Sequence, residues 1–229
     1  MNIYHGFDNL PDFPKGCVTT IGSFDGVHHG HRLLIGELGE LARARGHQGV
    51  VVTFDPHPRQ VLRGENRLLS TIDEKLVLLA ETGIENVVVV NFTREFSQTP
   101  YNEFIDEFIV EKLNTKILVI GESNHFGKNR GGSVNTLNRG KFDIHRVIRY
   151  HNISSTQIRT LIEQGDMAEA NSLLGTKGYL IETPVKDDSK LLPPPGEYTI
   201  FLDGGVAKMT LDKELLKNDN MLLRVLDKS

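Results

Sequence analysis

The stretch Gly22-Ser-Phe-Asp-Gly-Val-His-His-Gly-His31 follows the apolar run Cys17-Val-Thr-Thr-Ile21 directly. The apolar run predicts a buried strand, and the stretch after it predicts a sharp glycine turn that opens a helix. Spaced three apart, His28 and His31 are expected on one helix face, with Gly30 leaving room for a nucleotide. Helix N-termini favour phosphate oxygens, because their N–H groups are free and their dipole end is positive. The stretch therefore predicts an enzyme that splits a nucleoside triphosphate between its α and β phosphates.

A zinc site is the alternative interpretation, since His28, His29 and His31 are clustered. Zinc needs a complete tetrahedral set of ligands, and no Cys or His pair elsewhere in the sequence has clear metal spacing. The position of the histidines after a strand, at a helix start and around a glycine favours the nucleotide interpretation. We therefore predict no protein-bound metal.

The residues up to 176 alternate strand-like and helix-like segments. Further apolar, β-branched runs predict buried strands at Val50–Phe54, Asn86–Asn91 and Lys116–Ile120. Helical spacing of apolar residues lies between them, in sets that begin at Leu33, Leu76 and Phe104. This alternation predicts an α/β fold with a parallel sheet, and such sheets bind ligands at the carboxyl ends of their strands.

The pattern changes near residue 176, after which only short strands are expected. They are Tyr179–Val185, Tyr198–Leu202, Val206–Thr210 and Met221–Val225. We predict a nucleotidyltransferase domain over 1–176 and a small β module over 177–229. A module of 53 residues buries little surface, so we expect it to lean on the first domain.

Composition excludes several classes of protein. A net charge of -4 argues against a duplex DNA-binding protein, which needs a large basic surface. The single cysteine, Cys17, excludes an intrachain disulfide and lies in an apolar run, where a core thiol is expected. No apolar run approaches the length of about 20 residues that a membrane helix needs. The expectation is a cytoplasmic protein without nucleic-acid or membrane partners.

A second motif, Ile153-Ser-Ser-Thr-Gln-Ile-Arg159, predicts another helix start. Ser154, Ser155 or Thr156 can cap the helix, and a plain N-cap is the simplest interpretation. Arg159 lies one turn further in, where its guanidinium could pair with the same phosphates that the capping hydroxyls contact.

Two loops follow predicted strands. In Thr53-Phe-Asp-Pro-His-Pro58, the prolines fix a rigid loop that we expect to present Asp55 and His57 outward. The loop Gly121–Gly132 is glycine-rich, and it offers the Phe126 ring together with the charges of Lys128 and Arg130 to a planar, phosphorylated ligand. A solvated turn and a flexible surface loop are the respective alternatives.

Taken in order, these four motifs resemble the adenylyltransferase half of bacterial FAD synthetases, and the resemblance extends over roughly residues 15 to 180. It implies a Rossmann-like nucleotidyltransferase that transfers AMP from ATP, with Mg²⁺, to FMN. The implied catalytic residues are His28, His31 and Arg159. The implied ATP site is Gly22, Ser23, Phe24, Gly30, Ser154, Ser155 and Thr156. The implied FMN site is Asp55, Pro56, His57, Pro58, Ser123, Asn124, Phe126, Gly127 and Arg130.

The chain departs from that family in two places. Ser123-Asn124 stands where the family usually has an acidic or amide residue followed by Phe. The Pro-Thr-Ala-Asn motif of the riboflavin kinase module is absent from the sequence, although Pro194-Pro-Gly-Glu-Tyr198 resembles a fragment of that module. We therefore expect adenylyltransferase activity without kinase activity. A nucleotidyltransferase for another phosphate acceptor, or a non-catalytic flavin or nucleotide sensor, is the alternative.

Overall fold

A computed structural model of the protein describes residues 1–122, 124–137, 140–148, 153–202, 205–218 and 221–228. Six strands form one parallel sheet: β1 (Asn2–His5), β2 (Cys17–Ile21), β3 (Gln48–Asp55), β4 (Asn86–Asn91), β5 (Thr115–Gly121) and β6 (Asp143–Val147). Their order across the sheet is β1-β4-β3-β2-β5-β6, and every neighbouring pair is parallel. The predicted α/β class is therefore confirmed.

The central strands are buried along nearly their whole length, which explains why their sequences are rich in apolar and β-branched residues. All five residues of β2 and six of the eight residues of β3 are buried. The edge strands β1 and β6 were not predicted from the sequence. Each is short and contains only exposed or half-buried residues apart from Val147, so neither carries an apolar run that marks a strand.

The predicted helices are present. Seven α-helical segments are formed: α1 (His29–Arg45), α2 (Pro58–Arg63), α3 (Ile72–Ala80), α4 (Tyr101–Glu103), α5 (Ser155–Gln164), α6 (Met167–Leu174) and α7 (Leu215–Asn218). Helix α4 continues as a π-helix, Phe104–Lys112, which buries Phe104, Ile105 and Ile109. None of the helices among the described residues has the length and apolar character needed to cross a membrane.

Cys17 lies in the core of the parallel sheet and is fully buried. Burial raises the pKa of its thiol to about 12. Because the thiolate is the reactive form, we expect no reaction with a disulfide reagent at pH 8 in the native protein and one equivalent of reaction in urea. A spectrophotometric thiol titration measures both. Rapid native labelling would contradict the buried position of this residue.

The C-terminal strands are confirmed as a separate sheet. They are β7 (Tyr179–Glu182), β8 (Gly196–Leu202), β9 (Gly205–Leu211) and β10 (Leu222–Lys228). The sheet is antiparallel in the order β7-β10-β8-β9. Its core contains the fully buried rings of Tyr179 and Tyr198.

The chain forms two compact units. The first comprises Met1–Ser23, His31–Gly64 and Leu79–His151, and it contains the parallel sheet. The second comprises Phe24–Gly30, Glu65–Leu78 and Asn152–Ser229. The turn of the first motif therefore belongs to the same unit as helices α5 and α6 and the antiparallel sheet. A functional boundary at residue 176 stays a prediction.

Candidate active site

In the first unit, three of the predicted loops begin at neighbouring strand ends. β2 pairs with β3 on one side and with β5 on the other, so the chain reverses its direction across the sheet at β2. This is the switch point at which open α/β sheets bind ligands. The Asn124 side-chain amide donates a hydrogen bond to the Ile21 carbonyl at 2.7 Å, which ties the loop after β5 to the end of β2. Gly22 and Ser23 continue beside β3, since the Gly22 N–H donates to the Val52 carbonyl.

The first motif adopts an unusual backbone. Residues Asp25–Val27 form a single 3₁₀ turn. Phe24, which precedes the turn, and Val27, its last residue, have left-handed φ angles of 47° and 39°. Both side chains are buried. Such angles are rare for a large or β-branched residue, and they mark the turn as strained.

The two motif histidines do not share a helix face, contrary to our expectation. His28 has an extended backbone (φ −64°, ψ 171°), and helix α1 begins only at His29. The His28 ring is buried, and a Cβ atom at Gly30 would lie 3.4 Å from its Cε1 atom. The absent side chain at Gly30 therefore gives room to the His28 imidazole. A nucleotide contact there stays a prediction.

In the second unit, the helix of the second motif is capped as expected. The Ser154 hydroxyl accepts a hydrogen bond from the Gln157 N–H at 3.2 Å. Neither this helix nor α1 carries an acidic residue in its first turn, so the positive end of each dipole is not neutralised locally. Ser155 and Thr156 occupy the first turn of α5, and their ATP contacts stay predictions.

Arg159 lies in a buried ion pair of the second unit. It is only 3% exposed, its Nη2 atom lies 2.5 Å from Asp25 Oδ2, and its Nε atom donates to the Arg67 carbonyl. The sequence predicted that the guanidinium would reach phosphates, whereas here it joins the two motifs internally. The missed residue is Asp25, whose signal was its place inside the glycine turn.

The loop after β3 does not present His57 outward, and this expectation was wrong. His57 is 5% exposed, because its Nδ1 atom accepts the Arg59 N–H at 3.1 Å and caps helix α2. Pro58 begins that helix. Asp55 is half-buried at the end of β3. Its contact with the flavin stays a prediction.

The loop after β5 is built around Phe126. Its ring is 8% exposed and packs 6.3 Å from the Phe104 ring in the core, so the expected open aromatic face is filled by the protein itself. Gly127 has a φ of 71°, and a Cβ there would come within 2.6 Å of Tyr101. Arg130 is exposed. Ser123 lies outside the described residues, and the flavin contacts of this loop stay predictions.

No three His, Cys, Asp or Glu side chains within the described ranges are grouped so as to hold a metal ion. A metal that accompanies ATP needs no such group, because Mg²⁺ keeps several waters and takes substrate phosphates as ligands. Such a metal would enter with the substrate rather than belong to the protein.

Known proteins similar to this chain agree with the motif analysis. The FAD synthetase family model matches residues 10–160. The bifunctional riboflavin kinase/FMN adenylyltransferase of Escherichia coli K12 is 36% identical over 186 residues, which is 76% of this chain and 59% of that protein. The putative bifunctional enzyme of Geobacillus thermodenitrificans is 37% identical over 166 residues, covering 70% of this chain and 90% of that protein.

The chain thus spans about three fifths of the length of several curated relatives that it matches. A crystal structure of a macrolide-efflux protein from Streptococcus pneumoniae shares the fold over 99% of this chain and 98% of that one, with a TM-score of 0.82 and 22% sequence identity. That likeness concerns the fold alone. The ordered motifs, the switch-point loops and the match over residues 10–160 lead to one conclusion: the chain belongs to the FAD synthetase family.

Proposed function

We propose that the protein is an ATP:FMN adenylyltransferase. An oxygen of the FMN phosphate attacks the α-phosphorus of ATP, the bond from that phosphorus to the bridging oxygen of the β-phosphate breaks, and pyrophosphate leaves with both bonding electrons. FAD and pyrophosphate are the products. The observation that carries the proposal is the family match over residues 10–160, which includes all four motifs.

Catalysis in this reaction depends on charge rather than on proton transfer. The FMN phosphate is already anionic at neutral pH, so its oxygen needs no general base. The difficulty is to bring two polyanions together and to stabilise the charge that develops on pyrophosphate, which favours positioning and fixed donors. The helix starts of α1 and α5, free of acidic residues, suit that task.

The histidines of the first motif would supply N–H donors to the phosphates. His28 is held by the turn before α1, whereas His31 lies in the first turn of the helix. Arg159 would act at a distance, since its guanidinium is engaged with Asp25. Mg²⁺ bound to ATP would lower the negative charge of the leaving group.

The direct test incubates the protein with ATP, Mg²⁺ and FMN and separates the flavins by chromatography. FAD and an equal amount of pyrophosphate are expected. Replacing ATP by CTP tests the alternative that the protein is a nucleotidyltransferase of the same fold that uses CTP. FMN binding without any turnover would identify a sensor and contradict the proposal.

Riboflavin with ATP and Mg²⁺ is expected to yield no FMN. The sequence has no Pro-Thr-Ala-Asn motif, and apolar side chains fill the core of the four-stranded antiparallel sheet. Chromatography of the reaction against a heat-inactivated control measures this. A bifunctional relative assayed in parallel serves as the positive control, and ATP-dependent FMN formation by this chain would contradict the prediction.

A further inference from the structure

The turn Phe24–Val27 contains two residues, Phe24 and Val27, in the strained left-handed backbone conformation. Left-handed residues of this kind persist only when their surroundings enforce them. Gly26 lies at the centre of the turn with a φ of 72°, and a Cβ there would come within 2.9 Å of the Leu69 Cβ. The turn is therefore pressed against the segment Leu68–Ser70 of the same compact unit.

The Asp25 side chain forms hydrogen bonds that connect the turn to the segment Leu68–Ser70. Its Oδ1 atom accepts the N–H groups of Leu69 at 2.9 Å and Ser70 at 3.2 Å. Its Oδ2 atom pairs with Arg159. The Gly26 N–H donates to the Ser70 hydroxyl at 3.0 Å, which adds a further bond between turn and segment. With Asp25 only 2% exposed, these bonds are shielded from water, which strengthens them.

The segment Leu68–Ser70 also forms hydrogen bonds with residues of the C-terminal module. The Lys190 ammonium donates to the Leu69 carbonyl at 2.8 Å, to the Leu180 carbonyl at 2.7 Å and to Glu74 Oε2 at 2.7 Å. Both charged side chains of this pair are fully buried. The Leu68 N–H and carbonyl are bonded to Ser189 and Leu191, which flank the lysine.

The Leu69 backbone is thus held at both of its polar groups: its N–H donates to Asp25, and its carbonyl accepts from Lys190. Four buried charged residues connect the turn, the segment Leu68–Ser70 and the C-terminal module. Two are positive, Arg159 and Lys190, and two are negative, Asp25 and Glu74. Each has a partner of opposite sign, so no charge is buried alone. Neither Lys190 nor Glu74 lies in any of the four motifs, yet both side chains are fully buried.

We propose that Asp25 and Lys190 are positioning residues, which act through the Leu69 backbone to hold the turn Phe24–Val27, and with it His28, in the geometry needed for adenylyl transfer. The C-terminal β module then stabilises the turn Phe24–Val27 and contributes no catalytic residue. The kinetic part of this inference rests on the proposed function, whereas its structural part does not.

The test replaces Lys190 by methionine in the full chain, which keeps the length of the side chain and removes its three hydrogen bonds. Hydrogen exchange followed by mass spectrometry is expected to show faster exchange in 24–30 and 66–71, by about tenfold. In the FAD assay, kcat is expected to fall by about 10- to 100-fold with an unchanged KM for FMN, since a small displacement of the turn misplaces His28. A milder variant, Ser70→Ala, removes only the acceptor of the Gly26 N–H and is expected to act in the same direction.

Leu211→Ala is the matched control. Leu211 is buried in the core of the same module, but it lies in β9, at the opposite edge of the sheet from β7. This variant loses core packing without touching the connection, so exchange in 24–30 and kcat are expected to match the wild type.

The proposal would be overturned if Lys190→Met and Ser70→Ala both showed the hydrogen exchange and kcat of the wild type. It would also be overturned if Leu211→Ala lost as much kcat as these two variants. Should Lys190→Met fail to fold, Ser70→Ala decides the matter. If the wild type forms no FAD, the proposed function fails, while faster exchange in 24–30 would still establish the connection.

Discussion

Replacing His31 by alanine is expected to lower kcat for FAD formation by about 10²–10³-fold, the usual effect of removing one fixed donor from a site of developing charge. The residue lies in the first turn of α1, where the helix dipole already favours an anion. FMN carries its own phosphate to the reaction and is bound before charge develops on pyrophosphate. The KM for FMN should therefore change little.

The matched control is His29→Ala, which makes the same change two positions earlier in the first turn of α1. A Cβ at Gly175 would lie 3.0 Å from the His29 Nδ1 atom, so this imidazole packs on the end of helix α6 in the second unit. Its replacement is expected to leave kcat close to that of the wild type. Comparable losses in both variants, or near-normal turnover of His31→Ala, would contradict the assignment of His31.

Arg159→Met is expected to lower the free energy of unfolding by about 3–5 kcal/mol, because it leaves the Asp25 carboxylate buried without its ion partner. A loss of this size is a large fraction of the 5–15 kcal/mol or so that stabilises a typical domain. Urea unfolding followed by circular dichroism measures it. Turnover is expected to fall as well, since Asp25 would no longer be held in place.

Helix α5 offers a matched control for this prediction. Arg67 forms an ion pair with Glu163 of that helix, but the two side chains are 49% and 40% exposed. Exposed pairs contribute about 0–1 kcal/mol, so Arg67→Met is expected to leave the urea midpoint nearly unchanged. If Arg159→Met behaved like Arg67→Met, the buried pair with Asp25 would not stabilise the protein, and a direct phosphate contact of Arg159 would be the better explanation of any loss of activity.

The sequence predicted those elements of the fold that are buried on both faces. β2 to β5 are mostly buried, and each of β3, β4 and β5 contains a run of at least three apolar residues, as strands covered on both faces do. The edge strands β1 and β6 lack such a pattern, since only one neighbour and part of one face shield them. Helix α2 was missed because it is six residues long and has no fully buried side chain.

The sequence located the motifs but did not show which protein atoms their side chains contact. Phe126, His57 and Arg159 are each buried against protein atoms, which contradicts the outward position expected for His57. The ligand contacts of all three residues stay predictions. A motif records that a residue type is needed at a position. It does not distinguish a side chain that touches the ligand from one that holds the loop which touches the ligand.

By itself, the sequence determined the α/β class, the separate C-terminal strands, the helix starts at two motifs and the family to which the chain belongs. These properties depend on local periodicity, capping and ordered short motifs, all of which are written along the chain. Only the tertiary structure decided that Asp25 pairs with Arg159, 134 positions away, and that Lys190 and Asp25 both bond to the backbone of Leu69. Pairings over such separations depend on which segments folding brings together, and a buried charge finds its partner there because leaving it unpaired costs more than any local preference supplies.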